Sequence, residues 1–388
     1  MHWHRHSMKN ILLKNSALRL AIMVIALTMT LAPDLQLSAF ALDGKAEVNQ
    51  TVKENAAVER TEYGPKEFGP APTIVWQSSS TKPRAVIVTL HGLIMHGGVF
   101  DSIARRLVNQ GYIVAAPDMR GYGRWRKGKE PCEVSYDETF DDILGLVKKL
   151  KTQYPDLPLF CVGESLGADM SMRVASAESG LVDGLVLSSP AIKHRTYLGP
   201  LVANMPLLIA KPGKQIDLIP YIRKFASEDP RIIDGALNDP LVRKRLSASE
   251  LVRSVSVFKA SLNYAKLIPA SIPILVMQGS HDRVVKSNAV VSLLGCLKST
   301  DQTVRWFNAR GHLLLETDYV YPDTMQIVTG WLKEHVDESI ALKEAQASKT
   351  ETEQTEQKAE QTAEQSANAM ENGSDQDKLS EDMSKSRL

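Results

Sequence analysis

The sequence predicts an α/β protein: a mostly parallel central sheet with helices on both faces and one inserted helical cap. Three observations carry this. Between residues 65 and 336, short apolar runs rich in β-branched residues alternate with amphipathic stretches. The apolar runs lack in–out alternation, so they suit strands buried on both faces. From 191 to about 270 the rhythm stops: Pro200, Pro206, Pro212, Pro220, Pro230, Pro240 and Pro269 punctuate helical patches, and no sheet strand can be placed there.

In chain order, "RAVIVTLHG" (84–92) is a strand running into a His-Gly loop. "VFDSIARRLVNQG" spaces Ile103, Leu107 and Val108 as one helix face and stops at Gly111. "YIVAAPD" is the second strand, followed by the glycine-rich loop "MRGYGRWRKGKEP". "DETFDDILGLVKKLKTQYP" sets Phe140, Ile143, Leu144, Val147 and Leu150 along one side of a helix. "PLFCVG" is the next strand, and a helix runs from Leu166 to about Ala177. "VDGLVLSSP" (182–190), "IPILVMQG" (272–279) and "TVRWFNA" (303–309) are three further strands, and "YPDTMQIVTGWLKEHV" is the last helix.

The two ends differ from this middle. Lys9, Lys14 and Arg19 precede an apolar run, Leu20 to Ala32, that is short for a membrane span. Ala39-Phe40-Ala41 then supplies an A-x-A pattern, so residues 1–42 are read as a secretory signal cut after Ala41, with an uncleaved anchor as the alternative. The protein is accordingly expected to be exported, to a periplasm or outside the cell. His2, His4 and His6 precede Met8 and are ascribed to an upstream start rather than to metal binding. Residues 43–64 are read as a linker. Residues 337–388, rich in Glu, Gln, Lys, Ser, Thr and Ala, are read as a disordered polar tail without an apolar stripe to dock. Cys132, Cys161 and Cys296 are too few for a disulfide scaffold. Cys161 suits a buried filler, and a Cys132–Cys296 bridge is the pairing open to an exported chain. A formal net charge of +1 gives no general electrostatic case for nucleic acid.

Gly163-Glu164-Ser165-Leu166-Gly167 matches G-x-S-x-G at the point where a strand becomes a helix. A serine in that turn is lifted above the sheet on strained backbone, and glycines two residues either way relieve crowding against the neighbouring strand and helix. The motif alone is weak, since a packing turn with an incidental serine would look the same. Its partners follow in the required order. Asp282 comes after "IPILVMQG" and His312 after "TVRWFNA", each just beyond a strand at the carboxyl edge of the sheet. His281, His335 and His194 fit less well, as do Asp301, which precedes its strand, and Asp318, which follows the histidine. The roles expected are nucleophile for Ser165, base and then acid for His312, and orienting carboxylate for Asp282. The backbone N–H groups of Leu93 and Leu166 are the expected oxyanion donors. His91 and His96 lack a third ligand nearby, so His91 is read as a brace of its loop rather than a metal ligand.

His91-Gly92 with His96, "PDMRGYG" (117–123), "GESLGA" (163–168), "QGSHDRVV" (278–285) and "GHLLLE" (311–316) resemble the α/β-hydrolase superfamily. The branch is that of monoacylglycerol lipases and lysophospholipases, also labelled serine aminopeptidase S33. The likeness covers about residues 65 to 336, including "NDPLVRKRL" in the cap. It implies the α/β-hydrolase fold and hydrolysis of lipid carboxylic esters through an acyl-enzyme, with no metal or organic cofactor. Two departures bear on specificity: Gly123-Arg124-Trp125 stands where the family usually has a serine after its Gly-x motif, and Met95 replaces a more usual polar or small residue. Leu198, Leu201, Val202, Met205, Leu207, Leu208 and Ile209 suggest an acyl tunnel or contact of the cap with a membrane surface, against ordinary cap packing. A peptidase or amidase, and a silent hydrolase fold used as a binding module, are the alternatives.

Overall fold

The computed structural model describes residues 57–127, 132–193, 211 and 213–385. In chain order come β1 (Val58–Tyr63), β2 (Thr73–Ser78), β3 (Ala85–Leu90), α1 (Asp101–Val108), β4 (Tyr112–Pro117), α2 (Tyr136–Gln153), β5 (Leu159–Glu164), α3 (Leu166–Ala177) and β6 (Gly184–Ser188). The cap then supplies β7 (Gln215–Asp217), two helical pieces at Ile219–Tyr221 and Ile222–Ala226, α4 (Pro230–Asn238), β8 (Arg245–Ser247) and α5 (Ala248–Ala265). The core resumes with β9 (Ile274–Gly279), α6 (Asn288–Leu294), β10 (Gln302–Phe307) and α7 (Pro322–Lys385).

Eight strands form one sheet in the order β1-β2-β4-β3-β5-β6-β9-β10. From β4 to β10 every pairing is parallel, while β1–β2 and β2–β4 are antiparallel. Every residue of β3, β4, β5, β6 and β9 is buried, which is why these strands read as continuous apolar runs. The register matters for function. Gly163 pairs with both Leu90 and Leu187, Ser188 pairs with Met277, and Gly279 with Phe307. The carboxyl ends of β3, β5, β6, β9 and β10 therefore stand in a row, and the loops leaving them meet above the sheet.

The domain begins earlier than the expected boundary at 65. β1 lies in the stretch read as linker and forms the sheet edge; its sequence VERTEY is mostly exposed, because an edge strand pairs on one side only. β2 is its buried neighbour, anchored by Trp76, whose indole N–H donates to Asp101 Oδ1 at 2.8 Å. Among the described residues the cap carries no strand of the main sheet, as expected, but β7 and β8 pair into a small antiparallel ribbon. α5 packs on α3 and starts with a capping box between Ser247 and Glu250. The apolar cluster 198–209 and the signal segment 1–42 lie outside the described residues. Among the described residues, no helix is long and apolar enough to cross a membrane.

Two further expectations change. All three cysteines are free: Cys132 follows the loop after β4, whereas Cys296 follows α6 beyond the other half of the sheet, so they are not bridged. Residues 337–385 are helical rather than disordered. α7 docks through Val328, Trp331, Leu332 and Val336, all buried, which supplies a helix nucleus. The Glu-, Gln-, Lys- and Ala-rich sequence beyond has the intrinsic propensity to extend it. As expected, no apolar stripe docks the extension: after Lys343 every described side chain is exposed. Truncation after Glu344 is therefore expected to change unfolding free energy by less than about 0.5 kcal/mol, measured by urea titration of both chains.

Candidate active site

Ser165 sits between β5 and α3 with φ 55° and ψ −118°, a left-handed conformation that a non-glycine residue enters at a cost. Its own N–H donates to Ser188 O at 2.8 Å, which pins the turn to β6. The flanking glycines are sterically required. A Cβ on Gly163 would stand 2.3 Å from Gly167 O, and one on Gly167 would stand 1.7 Å from Leu90 O.

The structure brings Ser165, His312 and Asp282 into one hydrogen-bonded row. Ser165 Oγ lies 3.0 Å from His312 Nε2, and His312 Nδ1 lies 2.8 Å from Asp282 Oδ2. The same Oδ2 accepts from Gln278 Nε2 at 2.7 Å, while Oδ1 accepts the N–H groups of Val284 and Val285 at 2.7 and 2.8 Å. With Asp282 ionised, Nδ1 carries the proton and the Nε2 lone pair faces the serine hydroxyl. Burial works to lower the pKa of His312. The charge and hydrogen bond of Asp282, with the Glu164 charge, outweigh it and hold the imidazole above its ordinary value. Burial works the other way on Asp282, but His312 and the backbone N–H donors bring its carboxyl below the usual range.

The loop after β3 passes directly beside the serine: a Cβ on Gly92 would lie 3.3 Å from Ser165 Cβ. Leu166 opens α3, so its N–H has no acceptor within the helix. The Leu93 N–H has no partner among the described residues. His91 braces this loop as expected. Its Nε2 accepts from Met119 N–H at 2.9 Å, so Nδ1 carries the proton and donates to Gly92 O at 2.8 Å. Burial pushes the His91 pKa down to about 4, which keeps that pattern at neutral pH. His96 Nε2 reaches Asp239 Oδ2 in the cap at 2.8 Å, and Ile94 O accepts Arg243 N–H at 2.8 Å. Ile94 has φ 69°, a strained position for a β-branched residue, and the cap holds it there.

Sequence reasoning passed over two acids. Glu164, the x of the motif, is fully buried, and its carboxylate accepts the N–H groups of Leu314, Leu315 and Glu316 and the hydroxyl of Ser188. Glu316 Oε1 accepts Gly92 N–H, and its Oε2 has no partner. An acid inside an apolar strand was the available signal for Glu164; nothing local marked Glu316. Gln278, which steadies Asp282, was likewise unassigned.

Above Ser165 and His312 lies a cavity of about 180 Å³ whose walls are mainly apolar, among them Leu93, Met95, Leu218, Ile222, Phe225 and Phe258. The cap closes over it: Leu313 N–H donates to Ala226 O at 3.0 Å and Gly311 N–H to Glu228 Oε2 at 2.5 Å. Asp301, His335 and Glu338 have metal-ligand spacing, but Asp301 precedes β10 and the group sits at the opposite edge of the sheet from Ser165.

Comparison with known proteins agrees with this architecture. A family model described as "Serine aminopeptidase, S33" matches residues 81–318. Monoglyceride lipase of Homo sapiens is 26% identical over 244 residues, covering 62% of this chain and 78% of that protein. Monoacylglycerol lipase of Mycolicibacterium smegmatis is 25% identical over 265 residues, covering 68% and 92%. Among solved structures, a soluble variant of monoglyceride lipase from Saccharomyces cerevisiae, in complex with a substrate analog, superposes with a TM-score of 0.62 at 19% identity, covering 73% of this chain and 97% of that one.

Gly167→Ala is expected to destabilise the protein by about 3 kcal/mol or more, because the methyl meets a strand carbonyl that cannot move away. Ser165→Ala, measured beside it by chemical unfolding, is expected to leave stability unchanged or slightly raised.

Proposed function

The chain belongs to the serine aminopeptidase, S33, family of α/β-hydrolase fold, and from that membership and the geometry at Ser165 we propose a serine hydrolase of lipid carboxylic esters, with monoacylglycerols or lysophospholipids as substrates. One observation carries the reading: the Ser165–His312–Asp282 row opens into an apolar chamber. His312 Nε2 takes the hydroxyl proton as Ser165 Oγ attacks the ester carbonyl, and Asp282 stabilises the imidazolium that forms. The N–H groups of Leu93 and Leu166 receive the oxyanion. His312 then protonates the departing alcohol, leaving an acyl-Ser165 ester. Water attacks that ester, with His312 again as base, and the fatty acid leaves. With residues 1–42 read as an export signal, the enzyme acts outside the cytoplasm.

The chamber argues for a lipid ester over a peptide. An aminopeptidase needs an ionised acid to hold a substrate ammonium. Among the described residues Glu316 is the one carboxyl group on the chamber wall, and burial together with the Glu164 charge pushes its pKa well above the usual range. A neutral acid already engaged with Gly92 N–H is a poor anchor for a cation.

The test is hydrolysis of p-nitrophenyl esters from acetate to palmitate by the full chain and its Ser165→Ala variant. Activity is expected to favour medium or long chains and to fall by about 10⁴-fold or more in the variant. No Ser165-dependent turnover at any length would refute the esterase reading. The reaction needs neutral His312, so kcat/KM is expected to fall as pH drops through an ionisation above the ordinary histidine value. Glu164→Gln removes a charge that raises that pKa, so the acid limb should move to lower pH. It also unseats the His312 loop, and kcat is expected to fall about tenfold to a hundredfold with little change in KM.

A further inference from the structure

We propose that a basic groove on the cap, between the Gly123–Lys127 turn and residues 240–245, docks the protein on the anionic phosphate headgroups of a lipid surface. The groove measures about 720 Å³, and Arg126, Lys127, Arg243, Lys244 and Arg245 line it, with no carboxylate among the described residues that line it. Two of these cations have structural work. Arg243 pairs with Glu250 at 2.7 Å, and Lys244 Nζ donates to Asp239 O at 2.6 Å. The side chains of Arg126, Lys127 and Arg245 have neither a hydrogen bond nor an ion pair among the described residues. The acid opposite Arg245 across the β7–β8 ribbon is Asp217, and it accepts Ile219 N–H at 3.0 Å. Burial and the neighbouring Arg243 charge push the Arg126 pKa down against the opposing charge of Glu250, so two guanidinium groups stand near one another here. Glu250, paired with Arg243, also acts on Arg126, and Glu62 acts on Lys127, but the cations outnumber these acids, and an anion entering between them is stabilised.

Composition and position favour a lipid surface over a soluble anion. Ile219, Pro240, Leu241 and Val242 share the groove with the cations, the mixture of basic and apolar groups that suits a headgroup boundary. Among the described residues no aromatic ring lines it, so they offer nothing on which a nucleic-acid base could stack. The groove and the chamber stand back to back. Leu218 lines the chamber and Ile219 the groove, while Leu218 N–H donates to Lys244 O at 2.9 Å. A phosphate-bearing surface held here lies against the same cap that covers Ser165, which is where a membrane-borne ester must arrive.

The test is cosedimentation of the full chain with vesicles of phosphatidylcholine alone or with about 30% phosphatidylglycerol, at low and at raised salt. A triple variant, Arg126→Gln, Lys127→Gln and Arg245→Gln, is the comparison, and far-UV circular dichroism with a urea unfolding midpoint checks that it is folded. Wild type is expected to bind the anionic vesicles at least about tenfold more tightly than the variant, with the difference shrinking as salt rises, and to bind neutral vesicles equally. Equal binding of wild type and variant to anionic vesicles overturns the proposal. Release of the wild type by inorganic phosphate at matched ionic strength would make the groove a soluble-phosphate site and overturn it as well. The readout is binding, so it stands or falls independently of whether Ser165 cleaves esters.

Discussion

The arrangement above the sheet depends on one buried carboxylate. Glu164 ends β5 with no exposure to solvent, and a carboxylate taken from water without partners costs far more than a fold can spare. Its partners are three consecutive backbone N–H groups, those of Leu314, Leu315 and Glu316, and the hydroxyl of Ser188. Each such charged hydrogen bond contributes on the order of 1.5–3 kcal/mol net, so the segment after His312 has one strongly favoured path. His312 lies two residues before the first of those donors. Its distance from Ser165 thus follows from satisfying the acid beside Ser165, and the nucleophile and its partner are tied through a single residue.

Glycine and strain extend the same constraint to the other loops. Ser165 at φ 55° is held because α3 approaches β3 closely enough that only glycine fits at 167. Gly279, where a Cβ would stand 2.1 Å from Gly311 O, lets the loops after β9 and β10 touch, which brings Asp282 within reach of His312. Ile94 keeps its unfavourable φ because Arg243, on the cap's return toward the core after α4, is hydrogen-bonded to its carbonyl. The cap is therefore part of what shapes the loop next to the serine, not only a cover over it.

What was legible in the sequence follows the range of the forces involved. Ser165, Asp282 and His312 each follow a strand recognisable from its own apolar run, and parallel register alone carries three such strand ends to one edge. β1 was not legible because an edge strand with Arg60, Glu59 and Glu62 facing water reads locally as linker. The tail misled in the other direction: lack of an apolar stripe says that it docks nowhere, but helix formation there needs only local propensity and a nucleus. Glu164 was visible as an acid in an apolar strand, yet its three backbone donors lie about 150 residues away and no periodicity connects them. The basic groove is hidden for the same reason, since its cations come from two segments that only the cap brings together.

The two buried acids near Ser165 raise an electrostatic question with a physical answer. A negative charge on the chamber wall beside the loop of Leu93 would oppose an oxyanion developing there. Glu316 is in that position, with one oxygen on Gly92 N–H. Burial raises the pKa of both acids, but Glu164 accepts four donors that pull it back, whereas Glu316 is reached by one N–H only and is pushed further up by burial and the neighbouring Glu164. The better-solvated acid thus keeps the poorer one neutral, as two carboxyl groups sharing a low-dielectric site must. Glu316 can then brace the oxyanion loop as a hydrogen-bond acceptor while adding no opposing charge. A single ionised acid, placed where its charge raises the pKa of His312, does the organising, and the second contributes shape without field.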